Sequence, residues 1–327
     1  MLPKNKNKAR MYFRKAAERG HAVAQLFMAM SYMKYADDHN DKVLYWLQKA
    51  AEQGEYQALY NLGISYHRGD IDGKVDIAKS DELIRRSAEF RYTEAYSRLA
   101  IIYLDGEGVE KSRKIAKYWA WLDFTNLPEE ARKDSLLVHL LEPEDINDGN
   151  KINGEKIIID AAEAGEQDAM NTWAKALLDN GEKDKAVDLW KKAAELNHPQ
   201  AMCKLACVYV KEDKRHQEHA IRLLEDASKS GYEEAFYLLA VVYYEGLGVE
   251  KDIKKAWEYL EKSINKGHAA SRYLLATMCL RNDLQEILPD TVLRGLHYMG
   301  QAAGDKYQPA LDYFENNREG QDNGKVD

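Results

Sequence analysis

The sequence has little of what staples or breaks a chain. It holds only six prolines in 327 residues, and only three cysteines, Cys203, Cys207 and Cys279. An odd cysteine count excludes a fully paired intramolecular framework. Cys203 and Cys207 lie one helical turn apart, with side chains parallel and poorly placed to bridge. They read as small buried hydrophobes, with a metal or redox role as the alternative. No apolar run reaches the roughly 18 residues needed to span a membrane, and no secretory signal precedes the first helix. A soluble chain is expected, with the compartment open between cytoplasm and periplasm.

Positive charge is also short. The chain has 47 Lys and Arg against 55 Asp and Glu, a net charge of −8. Residues 1–152 hold 24 of each sign, so the remaining 23 basic and 31 acidic residues carry the whole imbalance. Nucleic acid is a poor partner for such a surface, because phosphate binding needs clustered cations. A basic protein would suit the acidic second half. The one local exception is Lys4, Lys6, Lys8, Arg10, Arg14, Lys15 and Arg19, read as a solvated face or as a patch for phosphate or an acidic partner.

Catalytic constellations are missing as well. Gly69-Asp70-Ile71-Asp72-Gly73-Lys74-Val75 is one residue short of a phosphate loop, and Val75 replaces the magnesium-binding hydroxyl. The same stretch puts Gly73 out of register for a calcium loop. Gly-x-Gly-Val lacks the third glycine of a dinucleotide site. His216 and His219 share a helix side without a Cys or carboxylate at metal-ligand spacing. Arg68-Gly69-Asp70 spells an adhesion tripeptide that three residues match by chance. No catalytic residue, metal or cofactor is expected.

What the sequence does have is a repeat. Ala-x3-Leu-(Gly/Ala)-x2-Tyr occurs as Ala58-Leu62-Gly63-Tyr66, Ala95-Leu99-Ala100-Tyr103, Ala201-Leu205-Ala206-Tyr209 and Ala235-Leu239-Ala240-Tyr243. Weaker copies start at Ala24, Ala169, Ser271 and Ala310, and a degenerate one at Ala131. Offsets 0, 4, 5 and 8 share one helical face, and the small residue at offset 5 admits a second helix closely. That second helix has its own pattern of large and small residues, as in Ala9-Tyr12-Phe13-Ala16-Ala17, Val43-Trp46-Leu47-Ala50-Ala51 and Ala186-Leu189-Trp190-Ala193-Ala194. Gly20, Gly54, Gly165, Gly231 and Gly267 follow such helices and suit left-handed caps. Between the two helices, glycine loops read Asp105-Gly106-Glu107-Gly108-Val109-Glu110-Lys111 and Glu245-Gly246-Leu247-Gly248-Val249-Glu250-Lys251-Asp252.

With these loops and the variable period, the chain resembles the Sel1-like repeat family of bacterial type, a relative of the tetratricopeptide repeat, over residues 2–312. The resemblance implies an all-α, right-handed α/α solenoid of tandem helix pairs that binds another protein without catalysis. Leu2 to Ala9 resemble the second half of a loop, so the chain is expected to start mid-repeat, with a first helix upstream. Residues 113–152 break the rhythm. Leu141-Glu142-Pro143-Glu144-Asp145-Ile146 resembles the family's closing element, which shields a terminal repeat. Either it is a cap, giving sub-arrays 1–152 and 153–315 hinged at Asp148–Gly154, or it is a divergent repeat. Residues 316–327 read as a frayed tail.

By the family's geometry the concave wall uses positions −1, +2, +6 and +9 from each anchor alanine. The expected partner-binding residues are Met30, Met33, Tyr60, His67 and Glu94 in the first sub-array. In the second they are Asn171, Lys175, Glu234, Tyr237, Tyr244 and Tyr273. Leu26, Gln57, Ile64, Ser97, Ile101, Leu104, Asp168, Gln200, Cys203, Cys207 and Val241 complete the wall. The tyrosines are the type enriched at binding hot spots, the methionines an adaptable patch. The alternative for the tyrosines is packing between repeats. Alternatives to an adaptor are an antagonist or immunity protein occluding a toxin, or an enzyme or small-ligand array.

Overall fold

The computed structural model describes the backbone of all residues except 1–5, 36–39, 72, 147–151, 212–213, 289 and 323–327; side chains at 6–10, 34–35, 40 and 316–322 are also outside the description. Two compact units divide the chain, residues 1–173 and 174–327.

The first unit contains α1 (Lys6–Glu18), α2 (Ala22–Tyr35), α3 (Asn40–Glu52), α4 (Tyr56–Arg68), α5 (Ile77–Glu89), α6 (Thr93–Asp105), α7 (Arg113–Asn126), the short α8 (Glu129–Arg132) and α9 (Leu136–Leu140), a 3-10 turn at Pro143–Asp145, and α10 (Gly154–Glu163). The unit boundary falls within α11 (Gln167–Asp179). The second unit continues with α12 (Lys183–Glu195), α13 (Pro199–Tyr209), α14 (Lys214–Lys229), α15 (Glu233–Glu245), α16 (Ile253–Ile264), α17 (Ala269–Leu280), α18 (Thr291–Gly304) and α19 (Gln308–Asp322). The only β-pairing among the described residues is an isolated bridge between Ile146 and Ile152. In each unit the pairs stack in chain order. α2, α4 and α6 pack on α3, α5 and α7, and α13, α15 and α17 pack on α14, α16 and α18.

The repeat pattern translates directly into packing. Ala58, Ala95, Ala169, Ala201, Ala235 and Ala310 are all 0% exposed, as is Ser271 in the same place. Ser271 is tolerated because its hydroxyl donates to Ser263 Oγ at 2.7 Å and lies 2.8 Å from His268 Nδ1, so the buried polar group is satisfied. The small residue at offset 5 is needed. A Cβ on Gly63 would stand 2.8 Å from Ile84 Cγ1 and 3.2 Å from the Ser80 carbonyl oxygen. α5 therefore passes against that face of α4.

The loops repeat as well. Gly106 (φ 73°) and Gly246 (φ 74°) end α6 and α15 in the left-handed region. Gly108 and Gly248 also have positive φ, and they lie against the preceding second helix, where a Cβ would come within 2.5 Å of Ile77 and 2.6 Å of Gln217. The residue capping each second helix then ties the loop shut. The backbone N–H groups of Asp76, Ser112 and Asp252 donate to the carbonyls of Tyr66, Tyr103 and Tyr243. Their side chains accept from the third backbone N–H of α5, α7 and α16, the usual capping contact.

The seam at 113–152 folds into the first unit. Lys117 on α7 is buried, and its ammonium meets Asp145 at 2.5 Å and Glu142 at 3.1 Å. Glu142 and Asp145 form a capping box on the 3-10 turn. Burial raises the Asp145 carboxyl, but the Lys117 hydrogen bond and the Glu142 N–H overcome it and hold the group below its ordinary value. α10 then packs on α7. Of the expected hinge, 148–151 lie outside the described residues. Gly154 is packed, since a Cβ there would lie 2.6 Å from Trp121. The limit of compactness lies past this stretch, after Trp173. At the other end, α19 carries the helix beyond 316 to Asp322.

Moving the division changes the charge balance. Residues 1–173 carry 25 basic and 29 acidic side chains, and residues 174–327 carry 22 and 26. Both units are equally acidic. Half of the excess counted from residue 153 onward comes from Glu155, Asp160, Glu163, Glu166 and Asp168, set against Lys156, all of which fold with the first unit. The charge argument for a basic partner on the second half alone thus loses its basis.

Candidate protein-interaction surface

The wall positions fall into two groups. Those at offset +6 are open in the first unit. Met30 is 46% exposed and Ile101 37%, with Ile64 half-buried between them in register. Val23, Phe27 and Met33 on α2 are also exposed, and Phe27 meets Phe13 of α1 with ring centroids 4.7 Å apart. Leu26, expected on the same wall, is buried in the core. A polar edge runs beside the row. His67 Nε2 lies 3.3 Å from Glu107, and Arg98 donates to the same carboxylate at 2.6 Å. Glu94 is exposed, 3.1 Å from the Thr93 hydroxyl.

The tyrosines at offset +2 behave differently. Each packs on the residue that opens the next first helix, three positions before its anchor. Tyr60 meets Tyr92 (5.4 Å between centroids), Tyr237 meets His268 (5.0 Å) and Tyr273 meets Tyr307 (5.5 Å). Tyr56 also contacts Tyr92. Burial, with Glu94 nearby, pushes the Tyr92 hydroxyl up to about 12, and burial lowers the His268 imidazole. These contacts form a ladder between repeats; aromatic pairs of this kind contribute about 1 kcal/mol beyond their buried area. Tyr92, Tyr232 and His268 make no side-chain cap bond, whereas Glu55 and His198 at the same place do. The position therefore serves either as a cap or as a rung.

Tyr244 is a correction. It was expected at an exposed position, but it is 7% exposed, and its hydroxyl donates to Asp283 at 2.7 Å. Cys203 is buried and Cys207 half-buried, and burial pushes both thiols up, away from the thiolate that reactivity needs. Glu234 is engaged by Lys204 at 3.0 Å and by the Tyr232 hydroxyl at 3.0 Å. Lys175 is exposed and Asn171 half-buried. No group of three or more His, Cys, Asp or Glu among the described residues is arranged to hold a metal ion, and no helix among them is long and apolar enough to cross a membrane.

One cluster had no motif to announce it. Arg85 on α5 is 11% exposed and contacts Asp81 (2.7 Å), Glu166 (2.6 and 3.1 Å) and Asp168 (2.6 Å). It also donates to the Tyr103 hydroxyl at 2.5 Å and stacks over Tyr103 and Trp119. The carboxylates hold the guanidinium charged despite its burial. Eighty-one residues separate Arg85 from Glu166, so local periodicity cannot reveal the pair.

The Sel1 repeat profile matches residues 1–21, 44–55, 57–89, 93–120, 180–198, 234–268 and 269–304, more than half of the chain. The ERAD-associated E3 ubiquitin-protein ligase component HRD3B of Arabidopsis thaliana is 26% identical over 280 residues, covering 80% of this chain and 45% of that protein. The chain spans less than half the length of the curated relatives it matches. Among solved structures, a Sel1 repeat protein from Oxalobacter formigenes is 20% identical, with coverage of 94% and 89% and a TM-score of 0.42. A protective antigen of uropathogenic Escherichia coli is 19% identical, with coverage of 92% and 84% and a TM-score of 0.39. With its anchors, glycine loops and paired helices matching the profile over most of the array, the chain belongs to the Sel1 repeat family.

Proposed function

We propose that the chain is a non-catalytic protein-interaction scaffold, and that the first-helix wall of its first unit holds an apolar or amphipathic segment of a partner protein. One observation carries this reading: the +6 row of Met30, Ile64 and Ile101, extended by Val23, Phe27 and Met33, is apolar and open although the repeat does not use that position for its own core. Offsets 0, 4 and 5 already fill the interior. An exposed apolar strip with a polar edge is the usual makeup of an interface, and methionines adapt to varied partners. His67, Arg98, Glu107 and Glu94 supply the edge.

Affinity capture from native lysate tests it. Met30→Asp with Ile101→Asp is expected to reduce capture at least about tenfold, as for loss of a hot spot. Helical circular dichroism should stay unchanged, because both side chains already face solvent. Capture that survives this pair, but is lost with charge reversals at the exposed Lys185 and Lys192 of α12, contradicts the assignment.

A further inference from the structure

The outer face of α18 lacks the charge that its counterparts in the same unit carry. Equivalent positions are counted back from the anchor of the first helix that follows. Leu293, His297, Gly300 and Gly304 stand 17, 13, 10 and 6 residues before Ala310. The same places hold Asp184, Asp188, Lys191 and Glu195 in α12, Glu218, Arg222, Glu225 and Lys229 in α14, and Lys254, Glu258, Glu261 and Asn265 in α16. Spacings of four, three and four put each set on one helical stripe. In α12, α14 and α16 the stripe is charged at every place but Asn265, and only Glu225 is not exposed. In α18 it carries no carboxylate, lysine or arginine.

Large apolar side chains stand open on the same face. Leu293 is 70% exposed, the most of any large apolar side chain among the described residues, and Val292 and Leu296 beside it are 53% and 43% exposed. The helix already has its core face. Gly295, Met299 and Ala302 are buried, with Gly295 pressed on Ala276 and Cys279 of α17. α18 thus has a second apolar face that its own unit leaves open, the mark of a contact site. The pattern of that face says what fits it. Bulk lies in its N-terminal half, at Leu293 and Leu296. Space lies in its C-terminal half, where a Cβ on Gly300 or Gly304 would meet nothing within 4 Å. A second α18 laid antiparallel brings Leu296 over Gly300 and Leu293 over Gly304, and both pairings place the two-fold axis near residue 298. One patch is therefore complementary to itself, as an isologous contact requires. Charge agrees. Exposed Arg294 lies in the first turn, and exposed Asp305 follows the last. The antiparallel copy sets each arginine toward the other chain's Asp305, which also pairs with Arg272 of its own chain. A parallel copy would set Arg294 against itself.

We propose that the outer face of α18 is a contact between two copies of this chain, isologous and antiparallel, with Leu293 and Leu296 of each copy seated on Gly300 and Gly304 of the other. Helix axes approach as closely as the side chains at the crossing permit, and the two glycines permit a close one. The contact rests on one helix of 14 residues, which puts it at the low end of specific interfaces. The dimer is accordingly weak, with a dissociation constant on the order of micromolar. Nothing in this assignment depends on the apolar wall of the first unit, so either can fail alone.

Sedimentation equilibrium of the full chain tests it, over about 1 to 200 μM to bracket a micromolar constant. The weight-average mass should rise with concentration from 37.5 kDa toward twice that value. Leu293→Glu with Gly300→Glu gives α18 the residues that α14 carries at those places, and should weaken association at least about tenfold. Replacing an exposed helical glycine favours the helix, so the thermal midpoint should not fall below the parent's, which separates a lost contact from a lost fold. Disulfide trapping reads the register. An equimolar mixture of Leu296→Cys and Gly300→Cys chains, one of them tagged, should give the mixed dimer in excess over either homodimer, because only that pairing brings the two cysteines within bridging distance. A parent that stays at 37.5 kDa throughout overturns the proposal and leaves the face to a different protein. Association that survives the double variant overturns it as well, since the copies then meet elsewhere. Homodimer crosslinks without the mixed one overturn the antiparallel arrangement.

Discussion

The two units share the ladder of +2 aromatics, Tyr60 on Tyr92 in the first and Tyr237 on His268 in the second, and differ at offset +6. In the first, the +6 row stays open and apolar, and the long-range tie is a buried ion cluster around Arg85. In the second, the +6 positions are an exposed Lys175 and the half-buried Cys207 and Val241, and the neighbouring wall positions are occupied from within: Tyr237 on His268, Tyr273 on Tyr307, Tyr244 on Asp283, and Lys204 on Glu234. A large amphipathic residue at a wall position is therefore no sign of a binding surface by itself. What decides is whether the next repeat supplies a partner for it.

The largest expected effect breaks the first unit's tie. Arg85→Met leaves Glu166 buried without its cation, which costs about 3–5 kcal/mol when one member of a buried pair is removed. Urea unfolding of the full chain should show an early transition; a midpoint equal to the parent's would mean that the cluster holds nothing together. Next come the rungs of the second unit. Tyr237→Ala with Tyr273→Ala should cost about 3 kcal/mol in total, less than two fully buried aromatics would, and leave partner capture per folded molecule intact. Met30→Asp with Ile101→Asp should do the reverse.

Asp145 offers a pH-dependent contrast. Its folded carboxyl is held below the ordinary value of 3.8. The stabilisation is therefore complete at neutral pH, begins to fade as pH falls through the usual carboxylate range, and is gone below the depressed folded value. Asp145→Asn should cost about 3 kcal/mol at pH 7 and flatten the dependence of the urea midpoint between pH 5 and pH 3, within the range set by the ordinary Asp value. An unchanged pH profile would show that Lys117 does not rely on it. A smaller effect is expected from Gly108→Ala, about 1–3 kcal/mol from positive φ and the clash with Ile77. Gly20→Ala, with open space around it, should cost only about 1 kcal/mol.

Most of the fold was legible because its determinants are short-range. Ala58, Gly63 and Tyr66 sit on one turn-to-turn stripe, and Gly106 and Gly108 announce a left-handed loop within a few residues. The unit boundary was not legible. The first unit extends past residue 153, and the contacts that join its late residues to its early ones include Lys117 with Asp145 and Arg85 with Glu166, charges that no periodicity links. The burial of Tyr244 was not legible, because its partner Asp283 lies beyond the repeat that carries it. A signal was nonetheless available: Tyr60, Tyr237 and Tyr273 are each followed, 31 to 34 residues later, by Tyr92, His268 and Tyr307, the rungs on which they pack.

The most direct test of the contrast between the units is hydrogen–deuterium exchange of the full chain, free and bound to a partner it captures. The account predicts slowed exchange in α2, α4 and α6, with α15 and α17 unchanged. Slowed exchange in α15 and α17, with α2, α4 and α6 unaffected, would contradict it.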